Sequence, residues 1–523
     1  MSTRRVARQV VRRAVSAIIA ATLVCAPLAP PAAAFSPGRS MVRIRSGVDG
    51  RAAIAAVCAA VGCQVLRSLD TVPGDTAPSS LFVVQGIPSV LPPLVDLSAL
   101  GVESIELDVP VAVTADTAPW GANQATAAVL DQLWNRTPVS YFGSSPWASY
   151  FAQPAATIIG IGATQCALSV TGAGATVAIV DTGIDPNHPI LAASVTDGYD
   201  FTRNVPGGNE MADLDQATAA VLDRVFGVNQ ATAAVLDQAT AAVLDDAAHR
   251  DFGHGTMVAG VVHLVAPAAL IMPLKAFTSD GSGYTSDIVG AIYYAIWKHA
   301  KVINMSFSRS TPSDELQRAL NAATSQGLIL AGSAGNDGLN TVVYPAGYAN
   351  VMGVASTTNS DTRSSFSNYG AVVFVAAPGE GVITTFPWGS FAAAWGTSFS
   401  TPFVSGAAAL LASLRGTVTY DQAATAISQA QPLPPDLGLG HGRLDLYQAV
   451  DWARQAWPDA PVADVSAACS SSGPWSPSPS PAPAPSPSPS PSPSPTPVPA
   501  PSPSPSPSPS PTPAPAPSPS PSP

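Results

Sequence analysis

Basic residues are scarce in this 523-residue chain: 23 Lys and Arg stand against 34 Asp and Glu, for a formal charge of −11. So acidic a chain lacks the electrostatic footprint of a nucleic-acid binder, and nucleic acid is not an expected partner. Long apolar runs are also missing. The longest near the start, Ala14 to Leu28, is broken by Pro27 and falls short of the roughly 20 residues that cross a bilayer, and no later run is long enough either. That argues against an integral membrane protein. Cysteine is sparse as well, with five residues in the whole chain, so any disulfide framework is small. The 46% hydrophobic content is nonetheless enough to build a sizeable core.

What is present begins with a leader. Arg4, Arg5, Arg8, Arg12 and Arg13 precede the apolar run, and Ala32-Ala33-Ala34 closes it with small residues, the pattern of a secretory signal with a mature start at Phe35. Arg4-Arg5 also fits twin-arginine export, although adjacent arginines are common in ordinary leaders. Removing residues 1–34 takes away five positive charges and no negative ones, which moves the formal charge to −16. The destination is extracellular or the cell envelope, where Cys58, Cys63, Cys166 and Cys469 can oxidise. Cys58 and Cys63 fall five apart in a helical pattern, about 140° around the axis from one another, which predicts poor placement for a mutual bond. Cys166 and Cys469 flank the main patterned region and form the expected bridge.

Residues 35–116 read as a small α+β unit. It has a strand-like start at Met41 to Arg45, an alanine-rich helical pattern from Arg51 to Leu66, a strand at Leu81 to Val84 and an apolar stretch from Val102 to Val113. From 117 to 453 short β-branched runs alternate with helical segments, the signature of a parallel sheet covered on both faces. The clearest are Thr176 to Val180, Lys301 to Asn304, Leu328 to Leu330 and Val351 to Val354. Residues 454–475 read as a linker. The Pro-Ser, Pro-Ala and Pro-Thr repeats of 476–523 cannot form a core and predict a disordered, polyproline-like tail of roughly 3.1 Å per residue where straight.

One octapeptide, Gln-Ala-Thr-Ala-Ala-Val-Leu-Asp, occurs at 124–131, 216–223, 230–237 and 238–245. In a helix eight residues make two turns plus about 80°, so the apolar stripe rotates with each copy and makes no continuous seam. A coiled coil is disfavoured. The plainer reading is a surface insertion of good helix formers at about 205–248; a lid or partner-docking helix is the other.

Three segments carry candidate chemistry. The run Val177 to Val180 delivers Asp181 to the carboxyl end of a strand, where open α/β sheets place their sites. In Gly253-His254-Gly255-Thr256 a histidine opens a helical segment. In Gly396-Thr397-Ser398 a serine opens another, whose first turn is expected to tolerate Pro402 because the missing N–H has no partner there, and whose positive dipole end lies beside a developing oxyanion. A serine hydroxyl is a weak nucleophile until a base takes its proton, and that base needs a third group to hold its tautomer. Asp181, His254 and Ser398 supply all three roles.

Asp-Thr-Gly-Ile-Asp (181–185), Gly-His-Gly-Thr (253–256), Ser-Ala-Gly-Asn (333–336) and Gly-Thr-Ser-x-x-x-Pro (396–402), in this order, resemble the motifs of the subtilisin-like serine proteases, the subtilases. The resemblance covers about 117–453 and closes at Gly440 to Ala449. It implies a seven-stranded, mainly parallel α/β fold with helices on both faces, and a secreted serine endopeptidase acting through an acyl-enzyme on Ser398. It also implies that Asn336 is the side-chain donor of the oxyanion hole, together with the Ser398 N–H. Gly281, Ser282 and Gly283, with Ser306, Phe307 and Ser308, resemble the segments that flank an extended substrate; Ser333, Ala334 and Gly335 would line the specificity pocket. The 35–116 unit resembles the family's inhibitory propeptides, which makes this segment the enzyme's own inhibitor until it is removed.

The sequence departs from the family where Met257 replaces a usual His, Phe399 a usual Met and Ser308 a usual Gly. The octapeptides also lengthen the interval between Asp181 and His254 and could obstruct or shape a cleft. Two rival readings are a subtilase fold that binds peptides without turnover, and a cell-surface structural protein whose Pro-rich tail is the working part. No redox or nucleotide cofactor is implied. Structural Ca²⁺ at Asp185, Asp200 or Asp251 is an open alternative, since the sequence offers no loop with regular ligand spacing. A monomer is expected, with protein or peptide substrates and a tail that serves as spacer or cell-wall contact.

Overall fold

The computed structural model describes residues 38–73, 77–88, 96–113, 135–214 and 251–457. The leader, all four octapeptides, Cys469 and the Pro-rich tail lie outside the described residues. Near the start, β1 (Arg39–Ile44), β2 (Gln64–Ser68), β3 (Leu81–Gln85) and β4 (Val102–Leu107) form an antiparallel sheet in the order β2-β3-β1-β4. One helix, α1 (Gly50–Val61), covers it. Asp49 starts α1 by accepting the N–H groups of Arg51 and Ala52, and Gly62, at φ 81°, stops it.

That stop corrects two expectations. The helix ends before Leu66, because left-handed Gly62 turns the chain back into β2. The same reversal lays Cys63 over the last helical turn with its Cα 4.3 Å from that of Cys58, and the two are disulfide-bonded. The separation of about 140° holds only for a helix running through both residues, and this helix ends between them.

Both faces of β1 and β3 are apolar for a reason. Val42, Ile44, Phe82 and Val84 pack on Ile54 and Val57 of α1. Met41, Leu81 and Val83 point the other way, into the core of the larger body, beside Ile288, Ile292 and Leu316.

That body is built on β6 (Thr176–Asp181), β7 (Tyr199–Asp200), β8 (Val205–Pro206), β9 (Leu270–Lys275), β11 (Val302–Met305), β12 (Ile329–Ser333), β13 (Met352–Thr357) and β14 (Val375–Pro378). Their order is β14-β13-β12-β11-β6-β9-β7-β8. The sheet has eight strands where seven were expected: those from β14 to β7 run parallel, and the two-residue β8 is added antiparallel to β7. The strands are continuous apolar runs because alternate side chains enter different cores. Val177 and Ile179 face α2 (His254–Val265) and α5 (Thr397–Leu414), whereas Ala178 and Val180 face α3 (Thr285–Trp297) and α4 (Asp314–Ser325). Helix α5 is long and apolar enough to cross a membrane, but it is 94% buried as the central helix of the first core.

Two boundaries differ from the sequence reading. Residues 205–214, assigned to the insertion, belong to the fold: β8 leads into a short 3-10 turn, Glu210–Asp213. Toward the end, α6 (Tyr420–Ile427) is followed by α7 (Leu446–Ala456), which runs into the expected linker, and Trp457 is still buried.

Charged groups join the small sheet to the body. Arg43 makes a forked contact with Glu315, and Arg67 pairs with Asp287. Asp108 accepts both the N–H and the hydroxyl of Ser286 at 2.8 Å, and Glu106 accepts the N–H of Glu315 at 2.9 Å. Two carboxylates of the small unit therefore sit on the positive ends of α3 and α4. Finally β5 (Pro110–Ala112) pairs antiparallel with β10 (Ser282–Tyr284), and Val113 donates its N–H to the Gly281 carbonyl at 2.8 Å.

Candidate active site

Asp181 ends β6, flanked by β9 and β11, and is 1% exposed. The next turn, Thr182-Gly183-Ile184, meets the start of α2 at backbone contact distance. A Cβ on Gly255 would lie 2.0 Å from the Gly183 carbonyl oxygen, and one on Gly253 would lie 2.4 Å from the Phe386 ring. Gly253 also has φ 89°. The glycines that flank His254 are thus what allow its helix to dock against the Asp181 turn. As a result His254 Nδ1 lies 2.7 Å from Asp181 Oδ1, which also accepts the Thr182 N–H at 2.7 Å.

Burial opposes the charged imidazole, but the negative charges of Asp181, Asp251 and Glu210 outweigh it and raise the His254 pKa above its ordinary value. The far nitrogen, Nε2, is buried and has no hydrogen-bond partner among the described residues. The Phe399 ring lies 5.3 Å from the imidazole.

Ser398 is the second residue of α5. Its Oγ donates to the Ser306 carbonyl at 3.2 Å, so engaging Nε2 requires the hydroxyl to leave Ser306; bonds of this kind commonly tighten only when substrate is bound. Pro402 stands in the second turn of α5, not the first as expected, and deprives the Ser398 carbonyl of its helical donor. The Ser306 hydroxyl replaces that donor at 2.8 Å. Asn336 lies beside the same helix start: its Oδ1 accepts the N–H and hydroxyl of Thr397 at 2.9 and 2.7 Å, which fixes the plane of the amide. Gly335, at φ 95°, makes the preceding turn, where a Cβ would lie 2.4 Å from Asn368 Nδ2.

The other sequence-predicted residues are distributed around this centre. Gly281, Ser282 and Gly283 carry the edge that β5 occupies. Ser306 touches Ser398 as described, while the Phe307 ring is fully buried against Phe277, so a substrate could meet only its main chain. Ser308 is buried, and the Ser333 hydroxyl ties β12 to the Phe307 carbonyl at 3.0 Å. Ala334 is buried with Val343 and Ala346. The three acids considered for Ca²⁺ are not brought together. Asp185 accepts the N–H groups of Asn187 and Trp388, and Asp200 those of Thr202 and Arg203. Among the described residues no cluster of three His, Cys, Asp or Glu could hold a metal ion.

Sequence reasoning missed a layer beneath the pair. Lys275 is fully buried at the end of β9, donating to the carbonyls of Thr182 and Phe277 and to Asp213 at 2.6 to 2.7 Å. Glu210 is equally buried and takes up the Thr182 and Thr256 hydroxyls. A lysine at the end of an apolar strand is a weak signal; Glu210, in a segment read as insertion, had none.

Comparison with known proteins places this geometry in context. The sequence profile of the subtilase family matches residues 172–443. The chain is 33% identical over 291 residues to thermitase of Thermoactinomyces vulgaris, a stretch that spans 54% of this chain and 90% of thermitase. It is 34% identical over 294 residues to the thermophilic serine proteinase of Bacillus sp. (strain AK1), across 55% and 65% of the two chains. Subtilisin Savinase of Lederbergia lenta is 34% identical over 251 residues, across 46% and 77%.

Proposed function

The chain belongs to the subtilase family and is a serine endopeptidase, and from that premise we propose which residues do the work and how the enzyme is released. Ser398 Oγ attacks the scissile carbonyl carbon while His254 Nε2 takes its proton. The resulting oxyanion is held by the Ser398 N–H and the Asn336 amide, at the positive end of α5. Collapse breaks the C–N bond, His254 returns the proton to the leaving amine, and the acyl group stays on Ser398. Water, deprotonated by His254, then attacks the acyl carbon, and His254 returns that proton to Ser398 Oγ as the C–O bond breaks and the acid leaves. Asp181 holds the imidazole with Nε2 toward the serine and stabilises the imidazolium that forms. The observation that carries this reading is the buried His254–Asp181 contact at 2.7 Å, with Nε2 left to face the reaction.

The enzyme is exported without its leader, acts as a monomer on peptides and needs no redox or nucleotide cofactor. Residues 35–116 form a propeptide that the enzyme removes itself. The pairing of β5 with β10 supports this: an extended segment of the same chain lies along Gly281 to Tyr284, the edge proposed for substrate. The Pro-rich tail serves as spacer or wall contact and takes no part in turnover.

Expression of wild type and Ser398→Ala in a protease-deficient host, with amino termini followed over time, tests the proposal. The variant should accumulate with 35–116 attached. Maturation at the wild-type rate would show that another protease does the cutting.

A further inference from the structure

Glu210 lies at the bottom of a turn reached only through Gly207 and Gly208, both at positive φ. That turn is fastened to the Asp181 loop by main-chain bonds: Ile184 donates to Gly208, and Glu210 donates to Ile184. The Glu210 side chain is 0% exposed, and its carboxylate receives four donors. Oε1 takes the Thr182 hydroxyl and the Gly253 N–H at 2.8 Å; Oε2 takes the Thr256 hydroxyl at 2.6 Å and the Thr256 N–H at 3.3 Å. Gly253 is the N-cap of α2 and offers no capping side chain of its own. Two of the orphan N–H groups at this helix start, those of Gly253 and Thr256, are therefore met by Glu210 from another part of the chain. Of the other two, Gly255 donates to Thr182 Oγ at 2.9 Å, the same hydroxyl that donates to Glu210, and His254 donates to the Asp251 carbonyl at 3.2 Å.

We propose that Glu210 is a positioning residue for the reaction: it clamps the first turn of α2 to the Asp181–Thr182 turn and thereby holds the His254 imidazole on Asp181. The proposal rests on the roles given above to Asp181, His254 and Ser398. A carboxylate suits the place because only an acceptor with two oxygens can serve both threonines and both N–H groups, and because a helix N-terminus favours an anion. Its negative charge also acts on the imidazole. Burial pushes the Glu210 carboxyl up to about 7, against the hydrogen bonds of Thr182 and Thr256 and the charge of Lys275. The charged groups that act on it are Lys275 from β9 and Asp181 from β6, with Asp213 on its own turn bound to Lys275; Glu210 acts in turn, together with Asp181 and Asp251, on His254 at the start of α2. Ionised Glu210 stabilises imidazolium, so removing its charge lets His254 lose its proton at lower pH.

Two variants separate the clamp from the charge. Glu210→Gln keeps the shape, deletes the charge and turns an NH₂ toward a backbone N–H. Thr256→Val keeps the charge and removes one strand of the clamp. Rates are normalised to active sites counted with a fluorophosphonate probe, so that only folded, labelled enzyme is compared. For Glu210→Gln, kcat should fall at least tenfold at pH 8 with KM within about twofold, and the acid limb of kcat/KM should move to lower pH. For Thr256→Val, kcat should fall less and the acid limb should stay. Wild-type kcat per labelled site and an unmoved acid limb in Glu210→Gln would reduce Glu210 to a structural cap. If that variant does not mature, wild-type kcat in Thr256→Val overturns the clamp instead. Failure of wild type itself to label would bring down the underlying reading together with this one.

Discussion

The Asn336 side chain has its carbonyl end committed to Thr397, so the end directed away from that contact is the NH₂ that an oxyanion needs. Asn336→Leu should therefore spare KM and lower kcat by roughly 10²–10³, the range known for the oxyanion donor of subtilisin. Steady-state hydrolysis of a small peptide amide reads this directly; an unchanged kcat would remove Asn336 from the mechanism. At this scale most of the candidate site was legible. Asp181, His254, Ser398 and Asn336 each sit in a short motif at the end of a strand or the start of a helix, where local pattern and chemistry coincide. Glu210 was not legible, because it meets Gly253 across 43 residues of sequence and its role exists only once two glycine turns have closed on each other. The position of Ser398 Oγ on the Ser306 carbonyl was equally beyond the sequence, being a choice of rotamer.

Among the elements, the small sheet shows what period alone conveys. The runs at β1 and β3 announced strands, but not that one face belongs to α1 and the other to α3 and α4 of the body. Helix α1 was overextended because the apolar residues Cys63, Val65 and Leu66 follow Gly62 at helix-compatible spacing, and the left-handed conformation of Gly62 ends it. The sharpest contact in this interface is Asp108, whose side chain pairs with Arg39 at 2.5 Å and caps α3 through Ser286. Its side chain is wholly buried. Asp108→Ala would leave Arg39 and the Ser286 N–H short of a partner, a loss of about 1–2 kcal/mol, or about tenfold in the hold of the proposed propeptide on the body. The lag before peptide hydrolysis reaches its final rate should shorten accordingly. A lag equal to wild type would mean that apolar contacts alone retain the segment.

For the whole molecule, alternation of β-branched runs and helices foretold a parallel sheet covered on both sides, because strands buried on two faces read as short continuous apolar runs rich in β-branched residues. It could not foretell β7 and β8, each two residues long, nor that 205–214 completes the fold before the octapeptides begin. Leu214, the last described residue there, packs with Phe252 and Phe386, so the insertion departs from and returns to the histidine side of the site. Cys166 is disulfide-bonded, and Cys58 and Cys63 hold each other. If Cys25 leaves with the proposed leader, non-reducing peptide mapping of the processed enzyme should link Cys166 to Cys469; a free Cys469 thiol would contradict that bridge. The proposed reaction turns on one side chain in one role. Treating the processed enzyme with a fluorophosphonate and mapping the adduct by peptide mass tests it most directly: the label should sit on Ser398, vanish in Ser398→Ala, and abolish peptide hydrolysis in proportion to its occupancy. Adduct on another serine, or hydrolysis that survives full labelling of Ser398, would contradict the assignment.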